Sequence, residues 1–364
     1  MSSFILFGCW NNLNTKIKDG KEKELGCLKK VMKLLEANIN GVGFIVIAGD
    51  NYYAKKEKPI EGEKKKIIIP SKLEEGFNLL PKEIPIYMIL GNHDLETNLN
   101  PENPKLFIGE TAEVSKSCMI LELEKQQSKE SNIEYTFFKD IMMNNGTLIL
   151  MIDSDVYSSD AYKFLPCYNI FLGENFETIE KVKEYQYNLI FQTINQYNAG
   201  VSIKNLIIIG HQPITGIKYK DGVKQPLLND IPYFKPVLLK IYNLLGSEIN
   251  YFYLCADLHL YQEGLITLKN EEEQMEINQY IVGTGGTELD DGIPEDINFV
   301  SSSETIDYQM ISSKQECGFL KCELSESDDS VKFEFISIIA QMGMGGRKKT
   351  KKRGNKKRRK SRKI

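Results

Sequence analysis

The chain holds three histidines, His93, His211 and His259, and each follows an apolar, β-favouring run. Ile84-Pro85-Ile86-Tyr87-Met88-Ile89-Leu90 leads into Gly91-Asn92-His93-Asp94, Leu206-Ile207-Ile208-Ile209 into Gly210-His211, and Tyr251-Phe252-Tyr253-Leu254-Cys255 into Ala256-Asp257-Leu258-His259. A fourth run, Phe44-Ile45-Val46-Ile47-Ala48, ends in Gly49-Asp50-Asn51. Runs of this kind, closed by glycine and polar residues, read as buried strands. Open α/β sheets collect their binding groups at the carboxyl ends of such strands. Asp50, Asn92, His93, His211, Asp257 and His259 therefore come to one rim and offer hard oxygen donors together with imidazoles, a mixture that divalent Mn, Fe, Zn or Mg accepts. Two such ions about 3.5–4 Å apart clamp a phosphoryl group, one activating water and the other offsetting charge on the non-bridging oxygens. Asp50 is the carboxylate placed to bridge them.

The elements that must position these residues follow from periodicity. A strand over Phe4–Phe7 and apolar residues at 25, 28, 31, 32, 34 and 35 predict a strand and a helix over 21–38, which with Phe44–Ala48 make a βαβ unit. The Lys- and Glu-rich stretch 54–66, with Pro59 and Gly62, is predicted as an exposed insertion beside the rim, either a solvated loop or a phosphate-steering flap. Ser71 to Leu80 is predicted helical, with Ser71 as N-cap and Glu74 closing a capping box. From 112 to 153 the pattern turns to strands without clear helices, over 118–123, 133–138 and 147–152, and predicts a second sheet. The stretch 154–175 reads as irregular; its Tyr157, Tyr162, Phe164 and Tyr168 either line a pocket mouth or pin the loop. Helices are predicted over 177–197 and 232–245, each ahead of a strand that ends at a histidine motif. Strands over 264–268, 275–282, 318–324 and 331–339 close the fold, and Gly283-Thr284-Gly285-Gly286 turns backbone towards the rim.

At 364 residues and 41% hydrophobic, the chain can bury the core of one large domain, and its composition excludes disorder throughout. Its seven cysteines are odd in number and never spaced C-x-x-C, which argues against a disulfide framework and a zinc ribbon and predicts a reducing, intracellular compartment, cytoplasmic or nuclear. No basic and apolar leader precedes Phe4, so the chain is predicted not to be secreted. No run approaches the ~18 apolar residues of a membrane span.

In order along the chain, Gly8-Cys9-Trp10, Gly49-Asp50-Asn51-Tyr52-Tyr53, Gly91-Asn92-His93-Asp94, Gly210-His211 and His259 resemble the motifs of the calcineurin-like metallophosphoesterases, over residues 4–340. The G-D-x-x-Y spacing that ends at Tyr53, and the Gly283-Thr284-Gly285-Gly286 turn, are most similar to the purple acid phosphatase branch. The resemblance implies a four-layer α/β/β/α sandwich of two mixed sheets flanked by helices, with residues 1–342 as its domain. It implies a metal-dependent phosphatase or phosphodiesterase acting on a phosphoester substrate with one or two divalent ions. Asp50 would bridge the metals, Tyr53 and His259 would serve the first, and Asn92 (through its amide oxygen), His211 and Asp257 the second. His93, with Asp94 beside it, would contact the phosphate and protonate the leaving oxygen.

Two positions depart from the family pattern. Its first aspartate is Cys9 here, with Asn11 two residues on, and the first histidine of its G-H-x-H is Asp257, preceded by Ala256. An anionic oxygen at 257 favours harder ions such as Mn²⁺ or Mg²⁺ over Zn²⁺. Cys9 is either a thiolate ligand, its pKa lowered by a cation, or a small buried apolar residue. A thiolate is easily oxidised beside ferric iron, so a ferric centre is not expected. Two readings stay open: an active enzyme with an altered centre, or a degenerate relative that serves as a phosphate-binding or assembly module.

The charge of −4 conceals an asymmetry: thirteen of the 46 Lys/Arg lie between 347 and 364 with no acid among them, leaving 33 basic against 50 acidic residues, a net −17, elsewhere. The tail 343–364 is predicted to be disordered and to meet an anion: nucleic acid, an import receptor or an acidic partner surface. Its Gly-Gly-Arg/Lys composition resembles tails on proteins of large DNA viruses, which implies a viral, virion-associated chain.

Overall fold

Short runs, most of them too uniformly apolar to alternate although Ile133–Tyr135 and Gln274–Val282 alternate buried with more exposed residues, form two sets of four parallel strands. In the first, Ser3–Phe7, Phe44–Ala48, Ile86–Ile89 and Ile133–Tyr135 pair in that order. In the second, Thr147–Ile152, Asn205–Ile209, Asn250–Cys255 and Gln274–Val282 do the same. Ser3–Phe7, Phe44–Ala48, Thr147–Ile152 and Asn205–Ile209 are buried at every position, as parallel strands covered on both faces must be. The computed structural model describes residues 3–18, 21–57, 65–97, 106–108, 118–127, 129–220, 223–228, 231–270, 273–293 and 299–339.

Antiparallel strands complete both sheets. Gly318–Leu324 and Val331–Ser337 extend the first beyond Ser3–Phe7 to six strands; Phe138–Met142 on one side and Tyr261–Lys269, Ile306–Lys314 and Val300–Ser302 on the other bring the second to eight. The sheets meet through aromatic rings: Phe333 lies 5.0 Å from Phe252 and 4.5 Å from Tyr280, and Phe335 stacks on Tyr261 at 4.2 Å. On the outside, Leu28–Asn38 buries Leu28, Val31, Met32, Leu34 and Leu35 and contacts Gly318–Leu324, while Met119–Gln127 contacts Ile133–Tyr135. Ile179–Asn198 packs on Phe138–Met142 and on Lys235–Leu245. The result is the expected four-layer α/β/β/α sandwich of two mixed sheets between helices.

Several local expectations are corrected. The stretch 118–123 is not a strand: Met119, Ile120, Glu122, Leu123 and Gln126 are the buried positions of the helix Met119–Gln127, a three-to-four-residue repeat that a short apolar run does not separate from alternation. The predicted strand over 133–138 divides, Ile133–Tyr135 joining the first sheet and Phe138–Met142 the second. The helix expected from residue 21 begins at Leu28, because Lys21–Glu24 pairs with Thr15–Lys18 as a hairpin. Ser71 does not cap its helix. Pro70 opens Pro70–Phe77, with Ile69 as N-cap and no side-chain cap bond, in keeping with proline's preset φ. The insertion after Ala54 contains Lys55–Glu57 and Lys65–Ile68, which pair with each other, and Lys65–Ile68 also pairs with Leu106–Ile108. The stretch 154–175 holds two 3₁₀ turns and the helix Leu165–Leu172, and its Tyr157 and Tyr168 are buried, pinning it down.

The cysteine reading is corrected as well. Cys27, the N-cap of Leu28–Asn38, is bonded to Cys317, 290 residues on and next to the strand Gly318–Leu324; Cys118 is bonded to Cys167, 49 residues on. Both bonds join elements that tertiary packing makes neighbours, which sequence spacing does not reveal. They remove the ground for expecting a reducing compartment. Cys9, Cys255 and Cys322 are buried and take part in neither disulfide. Among the described residues no helix is long and apolar enough to cross a membrane. The tail 343–364, and with it the boundary at 342, lies outside the described residues.

Candidate metal centre

The carboxyl ends of the parallel strands deliver their polar residues to one rim. Cys9 follows Ser3–Phe7, Asp50 follows Phe44–Ala48, and Asn92 and His93 follow Ile86–Ile89; from the other sheet come His211 after Asn205–Ile209 and Asp257 after Asn250–Cys255. Cys9 (φ 53), Asp50 (φ 54) and Asp257 (φ 55) all hold left-handed backbone, and among the described non-glycine residues only Asp329 shares it. That conformation costs an L-residue about 1–2 kcal/mol. Such strain is retained mostly where function requires the geometry. Close approach requires the glycines too: a Cβ on Gly49 or Gly91 would collide with the His211 ring or with Asp50.

Asp50 sits at the middle. Its Oδ2 accepts from the Tyr53 hydroxyl at 2.8 Å and lies 3.8 Å from Cys9 Sγ; its Oδ1 accepts from the His93 backbone N–H at 3.0 Å and lies 3.3 Å from His211 Nε2. Tyr53 OH also meets His259 Nε2 at 3.1 Å. One ligand atom each from Cys9, Asp50 and His259 lie within 4.8 Å of one another. On the other side, His211 Nε2 is 3.2 Å from Asn92 Oδ1 and 3.6 Å from Asp257 Oδ1. His211 Nδ1 donates to the Ala48 carbonyl oxygen at 2.8 Å, which fixes the ring and turns Nε2 towards those oxygens.

The electrostatics fit a cation here. Burial alone would raise Asp50, but His211 and His93 outweigh it and hold the carboxyl at about 2. Burial would lower His211, yet Asp50, Asp257 and Asp155 drive it well above the usual imidazole range, so the carboxylates draw positive charge into the rim. His259 is lowered by burial despite Asp290, Asp50 and Asp257 nearby, which favours the neutral ligand form. Cys9 and Tyr53 are pushed well up, chiefly by burial and by the Asp50 charge, and keep their protons.

His93 faces a cavity of about 420 Å³ whose walls include Asn12, Tyr53, Lys66, His259 and Asp290. Asp94 has a different place from the one beside His93 at the phosphate that the family resemblance implied. It is fully buried and does not line the cavity; its carboxylate accepts from the backbone N–H groups of Asn51 (2.8 Å) and Gly91 (2.9 Å) and from Asn51 Nδ2 (2.7 Å). Burial, with Asp50 close by, raises Asp94 to about 7. These bonds join the loop after Phe44–Ala48 to the loop after Ile86–Ile89.

Sequence reasoning missed four supporting positions. Ser154 Oγ accepts from the backbone N–H groups of His211 (2.8 Å) and Gln212 (2.9 Å), and Asp290 accepts from that of His259 at 2.9 Å. Glu96 lies 2.7 Å from His93 Nδ1 and pairs with Lys66. A signal existed for Ser154, which closes one more apolar run at a strand end; none existed for Asp290.

The sequence model of the calcineurin-like phosphoesterase family matches residues 3–259. The chain belongs to that family. The matched span ends at His259, so the strands from Tyr261 to Ser337 that complete both sheets of this calcineurin-like phosphoesterase lie beyond it. No curated protein matches the chain. Among solved structures it is similar to a purple acid phosphatase isolated from yellow lupin (Lupinus luteus) seeds, at 12% identity and a TM-score of 0.45, over 92% of this chain and 53% of that one. The chain thus spans about half the length of that phosphatase.

Proposed function

We propose that this calcineurin-like phosphoesterase hydrolyses a phosphate monoester or diester with one or two divalent ions at the rim. The observation that carries the reading is the convergence of Asp50, Asn92 and Asp257 oxygens on His211 Nε2 at 3.2–3.6 Å, with the Cys9–Asp50–His259 triplet on the far side of the same carboxylate. Asn92, His211, Asp257 and Asp50 would hold one ion; Asp50, His259 and Tyr53, with Cys9, would hold the other. The oxygen-rich first set favours Mn²⁺ or Mg²⁺ over Zn²⁺. Bound there, a divalent ion supplies Lewis acidity and lowers the pKa of water. His93 faces the cavity, its backbone pinned by Asp50, and its ring gives a proton to the leaving oxygen.

Burial and the Asp50 charge raise Cys9 and Tyr53, so ligation through either would release a proton as the ion binds. Elemental analysis of the purified protein, followed by turnover of p-nitrophenyl phosphate and bis-p-nitrophenyl phosphate with Mn²⁺, Mg²⁺, Zn²⁺ and Fe²⁺, tests the reading. Bound metal without turnover of either ester would leave a phosphate-binding module instead. The basic tail 347–364 adds a second proposal: it binds nucleic acid, with the import receptor and the acidic partner surface as the competing occupants.

A further inference from the structure

We propose that Glu96 is the positioning residue for His93, and that Lys66, brought in by the inserted strand Lys65–Ile68, holds Glu96 in place. The proposal rests on the reading of His93 as proton donor. Glu96 Oε1 lies 2.7 Å from His93 Nδ1, and Lys66 Nζ bonds the same oxygen. Neither acid nor lysine is a loose surface group: the Glu96 side chain is 15% exposed and that of Lys66 22%. Glu96 Oε2 is buried and has no hydrogen-bond partner among the described residues, which leaves Oε1 as the oxygen that meets His93 and Lys66.

The backbone under Glu96 is anchored on three sides. Its N–H donates to the His93 carbonyl oxygen at 3.3 Å, its own carbonyl accepts from Met119 N–H at 2.9 Å, and Thr97 bridges to Cys118, which is bonded to Cys167. The imidazole packs against the Tyr53 ring, centroids 4.7 Å apart and planes tilted by 51°. A carboxylate on Nδ1 keeps a proton there, fixes the ring, and leaves Nε2 as the nitrogen for the substrate. An unpaired carboxylate at this distance would repel a phosphate. Lys66 offsets that charge and, as a wall of the cavity, adds a cation facing the substrate. The insertion is thus part of the site.

Because the chain has three histidines, its imidazole resonances can be assigned individually, with His93→Gln identifying one of them. In the full-length protein, His93 Nδ1–H should appear as a downfield, slowly exchanging proton that survives in Glu96→Gln, whose amide oxygen still accepts, and is lost in Glu96→Ala. With the metal content unchanged, Glu96→Ala should lower kcat roughly 10–100-fold on an alkyl phosphate, whose poor leaving group needs the acid, but at most roughly threefold on p-nitrophenyl phosphate. Lys66→Met should weaken the same Nδ1–H resonance, by less than Glu96→Ala does, besides raising KM; an unchanged resonance would remove Lys66 from the positioning role. An unaltered Nδ1–H signal in Glu96→Ala, or equal losses on both esters, would overturn the proposal. If the wild type turns over neither ester, the hydrolase reading fails, while the resonance still decides whether Glu96 holds His93.

Discussion

Both halves of the centre meet at one side chain, Asp50, whose two oxygens face Cys9 and Tyr53 on one side and His211 on the other. Asp50→Asn or His211→Ala should therefore strip bound metal, whereas Cys9→Ala should keep at least one ion, because Asn92, His211, Asp257 and Asp50 do not include it. Elemental analysis of the three folded variants decides the matter; a metal-free Cys9→Ala beside a metal-loaded Asp50→Asn would reverse the assignment. Asp153 carries a second prediction. Burial raises it to about 7 from an ordinary 3.8, so between those values the folded chain holds a proton that the unfolded chain has released. Stability from this group is full below about 3.8 and is lost as pH rises through 7. Asn supplies the oxygen that accepts from Asp155 N–H and Tyr168 OH, so Asp153→Asn should be roughly 1–3 kcal/mol more stable than wild type at pH 8 and show a flatter decline from pH 4 to 7 in urea unfolding. An unchanged slope would show that Asp153 ionises freely. At this scale the residues in strand-end motifs were legible, since glycine and polar residues stop an apolar run abruptly. Glu96 and Lys66 were not, because one lies two residues past the end of its motif and the other is one of three consecutive lysines.

The elements that carry the rim were legible for the same reason: a parallel strand buried on both faces is an apolar run, and seven of the eight begin and end within about two residues of where hydrophobicity alone puts them. Elements outside the two large sheets were not. The hairpin Thr15–Lys18 with Lys21–Glu24 is dominated by lysine and glutamate, and Thr215–Lys220 with Val223–Leu228 mixes apolar and polar residues without a regular alternation. The disulfides belong to this scale, since each fastens one element to another. Cys27–Cys317 ties a helix to the strand beside Ser3–Phe7, which delivers Cys9; Cys118–Cys167 ties the segment after Glu96 to Leu165–Leu172. Thiol titration of the denatured protein should find three thiols, those of Cys9, Cys255 and Cys322, without reductant and all seven after reduction. Replacing Cys27 by Ser should cost roughly 2–5 kcal/mol in chemical unfolding, because the crosslink closes a long loop. Seven titratable thiols before reduction would rule both bonds out.

Across the whole molecule, charge is divided between a strongly acidic part and a basic end. Thirteen of the 46 Lys/Arg fall in the last eighteen residues, while the remainder has 33 basic against 50 acidic residues. Phosphates meeting that end would release counterions, giving an affinity that falls steeply with salt. The acidic remainder would repel the same polyanion, so it contributes a barrier rather than a second contact. A chain ending at Gly346 should accordingly keep its metal and any turnover of p-nitrophenyl phosphate, yet lose salt-sensitive binding to DNA and RNA. Titrating labelled duplex DNA and single-stranded RNA against both lengths at about 50 mM and 200 mM salt measures this, and the full-length affinity should drop by at least roughly 10³ between the two conditions if six or more phosphates are neutralised. Equal binding by the two lengths would place the nucleic-acid site within residues 1–346. Binding by neither would leave the basic end to an import receptor or an acidic protein surface, in either case a partner that recognises charge without a polyphosphate backbone.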